Sequence, residues 1–229
     1  MRNRFRSLHD FDFDGLLVLR ETLAKSEWGS IEQALASLTI FAHPNAVRAV
    51  GERAVFRNIR GTRGTIVDHA IGKVLADDNA GPAHAFQFST SFDPGAHLQL
   101  NHIYAVSKCP LTFTDLRNLC YTPAFLAKVT DCQKKMLPKD HLGHLLRYRS
   151  YELFGYTGPE RQEPALPAGY RDLEWADQVG ADASRTMIED RVRDWLRRNK
   201  KNRLTKSIRL CGWTFSDYRP DETVEYTGT

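Results

Sequence analysis

The spacing of apolar residues changes character at Arg60, and no other feature of this 229-residue chain constrains its fold as much. Before that point the spacing is helical. FDFDGLLVLRETLAK predicts a helix over residues 11–25, and Ser30 with Gln33 three positions later forms a capping-box pattern opening a second helix through ALASLTI. Pro44 stands where a third helix, through AVRAVGERAV, would place its first residue. After Arg60, RGTRGTIVDHAIGKVLADDNAGP sets glycines between β-branched residues, which suits strands and turns, and HLQLNHIYAV alternates apolar and polar residues as a strand does. Thr122 and Pro123 fit the N-cap and first position of a helix through Lys135, and HLGHLLRYRSYELFGY predicts another ending at Gly155. A chain that mixes both periods in this order belongs to the α+β class.

Three parts follow from these shifts: an N-terminal helical layer over 1–58, a strand-bearing core with its following helix over 59–156, and a linker with a basic helical segment over 157–229. The linker reading rests on TGPERQEPALPAGY, which is rich in proline and glycine. Beyond it, Ile188, Val192, Trp195 and Leu196 share one face of a helix for which Ser184 is the natural cap. From Arg197 to Arg209 there are seven Lys or Arg residues and no acid. Such a run is either a solvated face or a phosphate-contacting one, and Arg197, Arg198, Lys200, Lys201 and Arg203 are its candidate nucleic-acid contacts.

Composition excludes a few classes. With 41% hydrophobic and 26% charged residues the chain can bury a core, which excludes wholesale disorder. No run approaches the roughly 18 apolar residues of a membrane span, and MRNRFRSLHDFDFDGLL carries three aspartates where a leader would have an apolar stretch, so the expectation is a cytoplasmic protein without a membrane partner. Cys109, Cys120, Cys132 and Cys211 form no C-x-x-C pair and are expected to be reduced and mostly buried. A net charge of +4 permits a polyanionic partner without requiring one.

The most specific motif lies in LQLNHIYAVSKCPLTFTDLRNLCYTPAFLAKVTD, residues 98–131. A strand ends on Asn101-His102, a loop leads to Asn118-Leu119, and a helix follows. This spacing resembles the HNH nucleases, the ββα-metal or His-metal finger family. The resemblance implies a ββα-metal finger of strand, loop and helix embedded among helices. It also implies a metal-dependent endonuclease hydrolysing phosphodiester bonds, with double-stranded DNA as partner ahead of RNA. In that reading His102 is the general base, Asn118 bonds the backbone near it so that the ring cannot swing, and Lys128 contacts the scissile phosphate. Asn101 and Asp131 would hold the divalent cation, Mg²⁺ first, with Mn²⁺ or Zn²⁺ possible. The next letter of the family's pattern, His or Asn on the helix, falls here on Ala127, and Asp131 lies one turn further along the same face. That departure keeps an alternative open: a non-catalytic nucleic-acid-binding or interaction protein that retains the finger as a scaffold. Oligomeric state is open at this point.

Three other groups carry weaker signals. Asp68-His69 is followed by no Asn-Leu at a matching interval. Asp77-Asp78-Asn79 reads as a turn with self-bonding side chains, and His141 with His144 as a helix-surface pair.

Overall fold

The computed structural model describes residues 15–130 and 140–216. Its architecture is α+β. Helices α1 (Gly15–Ala24), α2 (Ile31–Leu38) and α3 (Pro44–Ala49) come first, with the short strand β1 (Ile40–Phe41) between the last two. Their starts are local chemistry: Ser30 Oγ accepts from Gln33 N–H at 3.0 Å, and Pro44 takes the first turn of α3, where no N–H is needed.

Strands β2 (Asn58–Arg60), β3 (Thr65–His69) and β4 (Gly72–Asp77) form a sheet in the order β2-β4-β3, with β2 parallel and β3 antiparallel to β4. The turn beyond β4 bonds itself as its acidic and amide residues predict: Asp78 N–H donates to Asp77 Oδ1 at 2.9 Å and Ala80 N–H to Asp78 Oδ1 at 2.8 Å. Helix α4 (Ala80–Thr90) follows, over residues read from sequence in part as strand and turn. It is buried along most of its length, so it shows little amphipathic spacing. Gly81 is required there, because a Cβ would collide with the amide of buried Asn58.

The second sheet has the order β1-β6-β5, with β5 (Leu98–His102) and β6 (Leu119–Pro123) antiparallel and a 3₁₀ turn, Leu116–Asn118, leading into β6. Helix α5 (Ala124–Thr130) begins where β6 stops. Thr122 and Pro123, expected at the helix start, belong instead to the strand. Pro123 ends the ladder opposite Leu98, and the next amide, Ala124 N–H, donates to His97 O at 3.0 Å.

Every residue of β6 is buried, because the strand divides two hydrophobic clusters. Leu119 and Tyr121 face the larger, with Leu100, Phe56, Phe86 and the C-terminal side chains Ile188, Val192, Ile208 and Trp213. Cys120 faces the smaller, with Phe41, Leu126, Leu142 and Leu145. Helix α6 (Asp140–Phe154) ends at Gly155, whose φ of 63° is the left-handed stop anticipated for it. Helix α7 (Arg185–Arg198) starts on Ser184 as its pattern predicts. A further helix, α8 (Arg203–Cys211), is capped by Asn202, whose side chain accepts from Leu204 N–H. No helix among the described residues is long and apolar enough to cross a membrane. Cys109 is half-buried and Cys120 and Cys211 are buried, all three as free thiols; Cys132 lies outside the described residues.

Candidate functional site

Successive strand residues point to opposite faces, so Asn101 and His102 diverge at the end of β5. His102 lies on the face of Leu100, toward the loop that follows. Its ring stacks on Phe113, with centroids 5.0 Å apart and planes inclined by 3°. His102 Nε2 stands 3.0 Å from the Phe113 carbonyl oxygen. A carbonyl can only accept, so Nε2 carries the hydrogen in this bond and a neutral ring keeps its lone pair on Nδ1.

Asn118 closes the mouth of the same loop. Backbone Ile103 N–H donates to Asn118 O at 2.9 Å, continuing the β5–β6 ladder by one rung. The Asn118 side chain then supplies the next rung: Oδ1 accepts from Tyr104 N–H at 2.8 Å, and Nδ2 donates to Tyr104 O at 3.3 Å and to Thr112 O at 3.2 Å. An amide side chain here does what a paired backbone would do, inside a site where it is fully buried. The Tyr104 bonds fall on the backbone two residues after His102.

The loop is held from outside as well. Thr114 Oγ1 accepts from Phe56 N–H at 3.0 Å and donates to Phe56 O at 2.7 Å, and Ser107 O accepts from Arg60 N–H at 2.7 Å. Arg117 forms a salt bridge to Asp115 at 2.8 Å and reaches Glu52 at 3.6 Å, with its guanidinium over the Tyr156 ring. Burial opposes the charge on Arg117, but Asp115, helped by Tyr156 and Glu52, brings the balance to a raised pKa.

Asn101 faces α5. Its Nδ2 donates to Thr122 Oγ1 at 2.6 Å and to Thr130 Oγ1 at 2.9 Å, while Thr130 Oγ1 in turn lies 3.0 Å from Ala127 O as donor. Ala127 is buried and presents a methyl group. Thus the structure brings His102 and Asn118 together on one loop, and Asn101 and Ala127 together under the helix. Lys128 is a residue of α5, and Asp131 lies outside the described residues.

The divalent cation implied by the resemblance can be tested against these donors. Under α5, Asn101 offers one neutral carbonyl oxygen and Ala127 offers none. Among the described residues no three His, Cys, Asp or Glu side chains are grouped to hold a metal. Mg²⁺ takes hard oxygen donors, usually with carboxylates among them, so the described residues do not by themselves fit it.

The basic run is divided. Arg197 pairs with Asp194, and Arg198 Nε donates to Asp194 O at 3.3 Å. Lys200 and Lys201 are exposed in the turn between α7 and α8. Arg203 is half-buried and acts on Asp77, favouring its charged form. Sequence did not single out Phe113 or Thr130 and took Thr122 for a helix cap, since they lie 11 to 29 positions from the residues they bond and only the fold brings them together.

Comparison of the chain with protein-family models, with curated proteins and with solved structures finds no match.

Proposed function

We propose that this chain binds nucleic acid on an HNH-type finger, residues 98–130, kept as a scaffold. The observation that carries this reading is the filling of the space beneath α5. Both hydrogens of the Asn101 amide go to threonine hydroxyls, and Ala127 places a methyl where the family has a ligand. What supports the finger itself is the Asn118 clamp, a polar rung that a loop of this length would not need for packing alone. What supports a nucleic-acid partner is the acid-free basic turn after Trp195, where Lys200 and Lys201 project into solvent.

The test is a pair of assays on the same protein: retention of a labelled DNA duplex over a salt series, and nicking of supercoiled plasmid with Mg²⁺ or Mn²⁺. Retention without nicking is the expected result. Replacing Arg197, Arg198, Lys200 and Lys201 with Gln should flatten the log–log salt dependence, by about 0.9 for each phosphate that is no longer neutralised. An unchanged slope would assign these residues to a solvated face.

One observation favours a second reading, hydrolysis. The Phe113 carbonyl fixes the His102 tautomer with its lone pair on Nδ1, the state a general base requires. This reading calls on Asp131 for the carboxylate. Metal-dependent nicking that vanishes in His102→Ala, with the fold retained, would establish it over the first.

A further inference from the structure

A cavity of about 370 Å³ opens beside the finger loop, where three distant segments meet. Arg53 and Arg57 come from the stretch before β2, Pro110 and Leu111 from the loop itself, and Trp213 and Thr214 from the residues after α8. Among the described residues, no carboxylate lines it. We propose that this cavity is a phosphate-ester site, with the guanidinium groups of Arg57 and Arg53 taking the phosphate and Leu111 covering the group esterified to it.

The two arginines are prepared differently. Arg53 is oriented: Nε donates to Thr214 Oγ1 and Nη2 to Thr214 O, both at 2.8 Å, which fixes the plane of the guanidinium and leaves Nη1 outside those bonds. Arg57 is half-buried, and no hydrogen bond or ion pair holds its guanidinium among the described residues. A charge withdrawn from water without a partner is costly, and an arriving anion removes that cost. Two guanidinium groups four positions apart in the stretch before β2 suit a tetrahedral anion with several acceptor oxygens. Burial raises the Cys211 thiol to about 11, while Arg57 and Lys73 both act on it in the opposite direction.

The rest of the wall distinguishes an ester from free phosphate. Leu111 is 59% exposed beside the arginines, with Ile71 and Pro110 next to it, so the anion's substituent meets apolar surface. The loop that carries Leu111 also carries Phe113, whose carbonyl holds His102. A nucleic-acid strand entering here would run along the finger. In that form the site rests on the nucleic-acid reading above; a free nucleotide is the other source of the same chemistry.

The experiment uses the full chain and two probes, thymidine 5′-monophosphate by calorimetry and a labelled DNA duplex by anisotropy at low salt. Inorganic phosphate serves as the ester-free control. Arg57→Gln is expected to weaken binding of at least one probe about tenfold, and Arg53→Gln, at an exposed position, less. Leu111→Ser, which removes the apolar cover without adding a charge, should weaken the ester probes while leaving inorganic phosphate unchanged. Nucleotide binding that disappears in Arg57→Gln, without any duplex binding by the parent, keeps the site and overturns the nucleic-acid reading. Duplex binding equal in parent, Arg57→Gln and Arg53→Gln, with nucleotide binding likewise unchanged or absent, keeps that reading and overturns the site. Neither probe bound by the parent overturns both. Circular dichroism of each variant shows that a weaker affinity is not unfolding, and Arg53→Gln carries the test if Arg57→Gln does not fold.

Discussion

The two sheets have three strands each and are used in opposite ways. In the β1-β6-β5 sheet, β6 is buried at every position, with alternate residues given to two different hydrophobic clusters. In the other sheet β3 is exposed at four of five positions, and β4 passes from exposed Gly72 to buried Val74 through Asp77 within its length. The first sheet is an internal wall and the second is a flap with one end anchored. Chemistry placed on the wall is positioned by the whole core. Side chains on the flap answer mainly to solvent and to their cross-strand neighbours.

That difference makes a ranked set of outcomes. Leu119→Ala, in the wall and fully buried, should cost about 2–5 kcal/mol in urea unfolding. A loss below 1 kcal/mol, on the order seen at surface sites, would mean that β6 is not a shared wall.

Asn118→Ala comes next, at about 1–3 kcal/mol, since it removes the acceptor of the Tyr104 amide, while the Tyr104 and Thr112 carbonyls keep backbone donors in Val106 and Asp115. The same change should raise hydrogen exchange at Tyr104 well above that of Leu100. Equal exchange in parent and variant would show that the loop does not depend on the clamp.

At the anchored end of the flap, burial is the largest influence on Asp77 and, helped by the charge of Asp78, raises its pKa above the ordinary carboxylate value. A raised folded-state pKa means the folded chain binds this proton more tightly than the unfolded one, so the stabilisation is full at low pH and is lost as pH rises through the raised value. Asp77→Asn should therefore gain on the parent as pH rises above the ordinary carboxylate value. A constant difference in urea midpoint across that rise would contradict the assignment.

Val67→Ala, on the open flap at 37% exposure, should change stability by less than about 0.5 kcal/mol. A cost close to that of Leu119→Ala would erase the contrast between the sheets.

Legibility in the sequence follows the same division between local and distant causes. Ser30, Pro44, Gly155 and Ser184 act within a turn of their own positions, and each marks its helix end as its chemistry predicts. The strand ending at His102 was readable because only part of it is buried, which preserves alternation. Strand β6 was not, because burial on both faces erases the period-2 pattern, and Thr-Pro then looked like a helix start. Helix α4 was hidden for a similar reason, with Gly81 and Pro82 adding the appearance of a turn. The Asn118 side chain bonds backbone groups of Tyr104 and Thr112; the two-threonine environment of Asn101 could not be read, since Thr122 and Thr130 are reached only through β6 and α5. Arg57 carries no local mark at all. Its neighbours in the cavity are set by the residues after the last helix and by a loop far along the chain.

The isolated bridges Ala42–Val179 and Phe56–Trp213 bear on how this chain must be made. They bind the first quarter of the sequence to its last, and the larger cluster likewise sets Ala46 and Val50 against Ile188, Ile208 and Trp213. A ribosome releases those early apolar residues long before their partners exist. The larger core cannot close until translation has passed Trp213, so the nascent chain carries exposed hydrophobic surface for most of its synthesis and folds late, through contacts of long sequence separation.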